Sequence, residues 1–152
     1  MNNESIIFTT FLLAVVGYIG LTAVVLMSLK GIIPILFWRA VVLIILLHVI
    51  MVWTYHYEWQ FSTAVRNEYT GFIIFHSALL MILISAITKK NISLYLVRIS
   101  SLAVTVGALG AVFRYEAVEL YRLPIIICAG LINAALLKIL YGKRNLMKKL
   151  FD

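Results

Sequence analysis

Residues 33–56 read "IPILFWRAVVLIILLHVIMVWTYH", and this stretch predicts a helix that crosses a membrane. The apolar run exceeds the roughly 20 residues that a helix needs to span about 30 Å of hydrocarbon. Arg39 near its start and His48 in its second half interrupt the run. Apolar and polar residues do not alternate along it, which argues against a transmembrane β-strand.

The rest of the chain has the same character. Of the 152 residues, 64% are hydrophobic and 12% are charged, and the mean hydropathy is +1.06. Soluble domains average about half apolar and a quarter charged residues. Similar apolar runs occupy about residues 6–28, 70–88, 93–113 and 123–141. We therefore expect one all-α membrane domain over residues 1–152, with five transmembrane helices in an antiparallel bundle.

The basic residues predict the orientation, because Lys and Arg are retained on the cytoplasmic side of a membrane. With the N-terminus outside and the C-terminus inside, the inner helix ends collect ten of the 13 basic residues, namely Lys30, Arg39, Lys89, Lys90, Arg98, Lys138, Lys143, Arg144, Lys148 and Lys149. Arg66, Arg114 and Arg122 remain outside. The expected location is a bacterial cytoplasmic (inner) membrane. Contact with anionic lipid accounts for the net charge of +7, so nucleic acid is not an expected partner.

Several function classes lack their sequence signals. Cys128 is the one cysteine, which excludes an internal disulfide and a dithiol redox centre. The chain contains no HExxH, GxSxG or glycine-rich phosphate motif. No span is interrupted by Gly and Pro in the manner of transporter substrate sites, so a transporter is disfavoured.

His48 and His76 are the main candidate site residues. They lie in the second and third spans, roughly 13 Å and 9 Å below the outer boundary at 1.5 Å per residue. An ionisable side chain at such depth is costly and indicates a functional site. Two neutral imidazoles from antiparallel helices suit the axial positions of one haem b. The sequence therefore predicts a small b-type cytochrome or a quinone-interacting redox subunit, with haem, and secondarily a quinone, as its ligand.

Such a site also needs an apolar wall, room for the macrocycle and cations for the propionates. The candidates for the wall are Leu47, Met51, Phe75 and Leu79. Gly107 or Gly110 is expected to give the clearance, and Arg66 or Arg114 the propionate contact.

Other interpretations of the histidines remain open. Each imidazole is also suited to bond a backbone carbonyl, Ser or Thr of a neighbouring helix, with Ser77, Thr105 and Asn133 as candidate partners. His56 lies among Trp53, Tyr55, Tyr57 and Trp59, as expected of an interfacial aromatic belt. A divalent metal site at the outer surface is a further alternative, built from His56 and Glu58 with Glu68, Glu116 and Glu119.

Small residues suggest a second function class. Ala103, Gly107 and Ala111 are four residues apart in the fourth span. Gly17 and Gly20 are further small residues near one another in the first span. This spacing predicts close helix packing, inside the bundle or across a dimer. The alternative function is a cofactor-free structural or assembly subunit that docks onto other membrane subunits or onto itself.

Arg39 and Arg98 lie one or two turns inside the inner ends of their spans. We expect their side chains to extend to the lipid headgroups. Binding of an anionic headgroup or a quinone carbonyl is the alternative.

Overall fold

The fold consists of helices throughout the part of the chain that the structure describes. The structure is a computed structural model, and it describes the backbone of residues 3–66, 69–114 and 116–151 and the side chains of residues 5–66, 69–114 and 118–142. The helices are α1 (Asn3–Ser28), α2 (Ile35–Tyr55), α3 (Phe61–Val65), α4 (Tyr69–Ile87), α5 (Lys90–Arg114) and α6 (Arg122–Phe151), with a 3₁₀ helix at Glu116–Tyr121. None of these residues forms a β-strand.

Five of the helices are long and apolar enough to cross a membrane, which confirms the predicted all-helical architecture. Their apolar stretches cover Ser5–Ser28, Ile35–Tyr55, Tyr69–Ile87, Lys90–Arg114 and Val118–Gly142. The second helix begins two residues later than predicted, because Pro34 has an extended backbone and precedes the first helical turn. The last helix continues beyond the predicted end at residue 141.

Side-chain contacts show that α1 runs antiparallel to α5 and that α2 runs antiparallel to α4. Tyr18 in the middle of α1 shares a hydrogen bond of 2.8 Å with Thr105 in α5, and Ser28 at the end of α1 bonds Arg98, which comes earlier in α5. Between α2 and α4, the indole N–H of Trp38 donates to the Ser85 hydroxyl at 3.0 Å. The first turn of α2 therefore packs against the last turn of α4.

Helix α1 lies at the centre of the bundle, where it packs against α2, α5 and α6. Two glycines allow its close approach to α2. A Cβ atom added to Gly17 would lie 2.9 Å from Cγ1 of Ile45, and one added to Gly20 would lie 2.6 Å from Cγ2 of Val41. The core around this contact is apolar and includes the fully buried Leu21, Val24, Trp38, Ile82, Val97 and Ile132.

The glycines of α5 have a different environment from the one predicted. A Cβ added to Gly107 or Gly110 would meet no atom within 4 Å. Of the two alternatives predicted for this small-residue face, packing inside the bundle does not hold for Gly107 and Gly110, which face outward, and packing across a dimer stays a prediction. Close packing between helices of the chain occurs instead at Gly17 and Gly20 of α1.

Three arginines bind the C-terminal turns of neighbouring elements. Arg39 donates to the carbonyl of Ala86 in α4 at 3.2 Å, and Arg98 donates to the carbonyl of Ser28 in α1 at 2.6 Å. Arg122 donates to the carbonyl of Val112 in α5 at 2.9 Å. The last carbonyls of a helix have no partner within the helix and carry its negative dipole end. Arg39 and Arg98 thus bind helix ends within the chain, and the contact of their side chains with lipid headgroups stays a prediction.

Replacing Gly20 by Ala should destabilise the protein, because Val41 is β-branched and its methyl groups cannot rotate away freely. Overpacking of this kind costs about 1–3 kcal/mol. The matched control is Gly107→Ala, where the new methyl group meets open space and stability should be unchanged or slightly higher. Equilibrium unfolding in mixed micelles measures both. Equal stability of the two variants would contradict the close α1–α2 approach.

Candidate functional site

A cavity of about 420 Å³ lies between α2 and α4, and residues of α3 and α5 also line it. We call it the histidine cavity, because His48, His56 and His76 all contribute to its wall. Four of its ten other lining residues are aromatic, namely Trp53, Tyr57, Phe72 and Phe75, and the lining includes Arg114 at the end of α5. The volume lies within the range of about 300–1,000 Å³ that is usual for small-molecule sites.

His48 and His76 occupy equivalent depths in their helices. His48 precedes the last residue of α2, Tyr55, by seven positions (55 − 48 = 7), and His76 follows the first residue of α4, Tyr69, by seven (76 − 69 = 7). At 1.5 Å per residue, each imidazole lies about 10 Å from its helix end. The two antiparallel helices therefore present both histidines to the same cavity at the same level.

Hydrogen bonds fix the tautomer of both rings. Nδ1 of His48 lies 2.8 Å from the carbonyl oxygen of Thr10 in α1, and Nδ1 of His76 lies 2.8 Å from the carbonyl oxygen of Phe72, one turn earlier in α4. A carbonyl oxygen only accepts, so each Nδ1 carries the hydrogen, and the lone pair of the neutral ring lies on Nε2. Histidines that bind metals are usually held in this way, with the other ring N–H donated to a carbonyl or carboxylate.

The bond from His48 to α1 has the form expected of a packing histidine, since it joins two neighbouring helices through a backbone carbonyl. Two of the three side chains predicted as partners bond elsewhere, because Thr105 bonds Tyr18 and Asn133 bonds the carbonyl of Ala129. Packing therefore accounts for one nitrogen of each ring. It leaves Nε2 of His76 unexplained.

Nε2 of His76 is buried and has no hydrogen-bond partner among the described residues. The ring stacks on Phe72 at a centroid distance of 3.9 Å and meets Trp53 and Phe75 edge to face at 5.9 Å and 5.3 Å. Phe72 and Phe75 have no donor hydrogen, and the indole N–H of Trp53 does not form a hydrogen bond with this lone pair. A buried acceptor left unpaired costs about 1–3 kcal/mol. Such an atom indicates a bound group that satisfies it.

The other buried polar atoms without partners in the described residues are Oγ1 of Thr88, Oγ of Ser93 and OH of Tyr121. Thr88 and Ser93 flank the α4–α5 turn, and Tyr121 ends the 3₁₀ helix. His76 differs from them because it lies within a long apolar helix and lines a cavity.

His56 is exposed and follows the last residue of α2. Its ring meets Tyr57 edge to face at 4.7 Å, next to the contacts of Trp53 with Tyr57 and Trp59 at 5.6 Å and 5.8 Å. These contacts form the aromatic cluster that the sequence placed at a membrane boundary. The position of His56 on the cavity wall was not foreseen, because the loop after α2 folds back through α3.

The structure brings some of the other predicted site residues to the cavity and not others. Phe75 and Arg114 line it, whereas Arg66, Leu47, Met51 and Leu79 are not among its lining residues. Gly107 and Gly110 face open space on α5. The aromatic residues Trp53, Tyr57 and Phe72 were not predicted as wall residues. The spacing of Phe72 and His76, one helical turn apart, was the available signal.

The carboxylates of the alternative metal site do not gather around His56 in the described part of the chain. Glu58 is exposed, and Glu119 pairs with Arg122 at 2.7 Å. The side chains of Glu68 and Glu116 lie outside the described residues. Among the residues that are described, no group of three or more His, Cys, Asp or Glu side chains is placed to hold a metal ion.

Comparisons with known proteins give no relative from which a function could be transferred. No protein family model matches the chain, and no curated protein or solved structure is significantly similar to it. The site must therefore be interpreted from its own geometry.

His48 and His76, which are both half-buried, should be found in the form with hydrogen on Nδ1 and a bare Nε2. The reason is that each Nδ1 faces a carbonyl oxygen at 2.8 Å. Nitrogen-15 NMR of protein labelled at histidine and held in micelles distinguishes the two ring nitrogens. Exposed His56 provides the internal control and should show exchange between forms. A spectrum with hydrogen on Nε2 of His48 or His76 would contradict the site geometry.

Proposed function

We propose that the protein is an integral membrane b-type cytochrome, in which His48 and His76 provide the axial ligands of one haem in the histidine cavity. The observation that carries the proposal is the buried, unpaired Nε2 of His76 in a cavity that His48 also lines. The iron of a haem would accept this lone pair together with one from Nε2 of His48. When bound, the haem would supply reversible one-electron exchange.

The residues of the cavity fit this group. The hydrogen bonds from Nδ1 to the carbonyls of Thr10 and Phe72 hold the imidazoles in one orientation and leave Nε2 as the ligating atom. The aromatic rings of Trp53, Phe72 and Phe75 offer an apolar wall that keeps water away from the ligands. Arg114 supplies a cation at the same cavity, as the acidic groups of a haem require.

The proposal includes a membrane orientation with the N-terminus outside and the C-terminus inside, in a bacterial inner membrane. Lys30, Arg39, Lys89 and Arg98 belong to one end of the bundle, which the positive-inside rule assigns to the cytoplasm. The histidine cavity lies towards the opposite end. A membrane quinone is the redox partner that suits it best, because Phe75 lines the cavity and is 39% exposed on the apolar surface.

Purified protein expressed with haem supply should show a Soret band, and sharp α and β bands after reduction with dithionite. Replacing either His48 or His76 by Ala should remove this six-coordinate spectrum and weaken haem binding by at least about tenfold, the lower limit for loss of a group that supports a metal site. Absorption spectra and haem titration of each variant measure the effect.

The matched control is His56→Ala, which changes the third histidine of the same cavity. Its spectrum should equal that of the unchanged protein. Loss of the bands in His56→Ala, with retention in either of the other two variants, would reject His48 and His76 as the ligand pair. A featureless visible spectrum from folded protein would reject the haem altogether.

Replacing Arg114 by Gln should lower haem affinity about two- to fivefold, because an exposed ion pair contributes up to about 1 kcal/mol. Arg66→Gln is the control, since Arg66 belongs to the same end of the chain's bundle but is not a lining residue of the cavity. Competition titration for haem measures both. Equal losses in the two variants would show that general charge, rather than Arg114, attracts the ligand.

The second candidate function is a cofactor-free structural or assembly subunit. The outward-facing Gly107 and Gly110 favour it, because they leave a helix face without a neighbour in this chain. This second proposal would be supported if the folded protein binds no haem and purifies with a larger membrane complex in fixed proportion.

A further inference from the structure

Asn133 is a polar residue on the outer surface of α6, where the residues between Arg122 and Lys138 are otherwise apolar. It lies nine residues before Gly142 and 15 after Val118, the two ends of the candidate membrane span (142 − 133 = 9, 133 − 118 = 15). Near the middle of a membrane span, water is not available to its amide. The side chain is nevertheless exposed in the single chain.

The amide of Asn133 is only partly satisfied. Its Nδ2 donates to the carbonyl of Ala129, one turn earlier, at 2.9 Å. An asparagine side chain has two donor hydrogens and an acceptor oxygen, so one donor and the oxygen remain for a partner outside the helix. Leaving them unpaired in hydrocarbon is costly. The geometry thus calls for a polar group from another chain at this depth.

The helix face around Asn133 permits close approach. The opposite face of α6 is buried against the bundle through Ile125, Cys128, Ala129, Ile132 and Ala135. The exposed residues Ile126, Gly130, Asn133 and Leu137 follow one another at spacings of four, three and four along the outer face. A Cβ added to Gly130 would meet no atom within 4 Å, so another backbone has room beside it.

We propose that this face of α6 is the interface of a homodimer, in which Asn133 bonds Asn133 of the partner subunit. Two copies of the chain in the same membrane orientation carry the residue at the same depth. A two-fold axis brings the same patch of both subunits together. The amide is self-complementary, because each copy offers the donor that the other's oxygen requires. The proposal does not depend on the presence of a haem.

Energy transfer between fluorescently labelled full-length chains in phosphatidylcholine vesicles, at a series of protein-to-lipid ratios, tests the interface. The unchanged protein should dimerise. Asn133→Leu should raise the apparent dissociation constant of the dimer about three- to thirty-fold, which is the range that polar contacts between membrane helices contribute to association. Asn133→Gln keeps the amide and should recover part of the loss. Gly130→Leu should also weaken the dimer, by holding the two backbones apart.

The matched control is Gly107→Leu, which fills an equally open position on the outer face of α5. Its dimerisation should be unchanged. The proposal would be overturned if the unchanged protein is a monomer at every lipid ratio. Full dimerisation of Asn133→Leu, or a loss of dimerisation in Gly107→Leu equal to that in Asn133→Leu, would also overturn it. Circular dichroism of every variant establishes that the helices are intact.

Cysteine cross-linking gives a second test that leaves Asn133 in place. In a Cys128→Ser background, Leu137→Cys should form a disulfide-linked dimer in vesicles oxidised with copper phenanthroline. Leu102→Cys, on the exposed face of α5, is the control and should not. The reverse pattern would place the interface on α5 and overturn the assignment to α6.

Discussion

The structure depends on the requirement that polar groups removed from water find partners within the chain. Helices satisfy the backbone, and short polar side chains in their interior bond the preceding turn, as Thr22 does to Tyr18 and Thr105 to Ser101. At the helix ends, where the last carbonyls lack partners, arginine guanidinium groups supply the missing donors. Arg98 on Ser28 and Arg39 on Ala86 therefore join pairs of helices at the places where their backbones are least satisfied.

Two polar groups do not find all of their partners within the chain, and each indicates a partner outside it. Nε2 of His76 is an acceptor without a donor inside the bundle, and the amide of Asn133 is partly unpaired on its surface. Neither is explained by packing of the single chain, because apolar side chains of similar size would avoid both costs. Nε2 of His76 lies on the wall of a cavity that a second histidine also lines, and it indicates a ligand. The amide of Asn133 lies on an open helix face and indicates contact with another chain.

The five long apolar helices could be predicted because length and composition alone separate such helices from loops, whereas α3 and the 3₁₀ helix at Glu116–Tyr121 were not predicted. The sequence could not predict which face of each helix lies inside the bundle. Side chains in the core and side chains that face lipid are equally apolar, and no periodicity distinguishes them. The glycines show the consequence. Gly107 belongs to the four-apart series with Ala103 and Ala111 but faces outward, whereas Gly17 and Gly20 make the close contact. The partner of His48 could not be predicted either. It is the backbone carbonyl of Thr10, and every residue has such a carbonyl whatever its side chain.

The histidine cavity and the outer face of α6 are parts of the fold that should act independently. The cavity is built by α2, α3, α4 and the end of α5, whereas α6 packs on α1 and α5. Helix α1 links them, since Thr10 holds His48 while Tyr18 bonds Thr105 of α5. Substitutions at separate sites with no shared partner have additive effects. Ligand binding and self-association are consequently separable properties, and coupling between them would have to pass through α1 or α5.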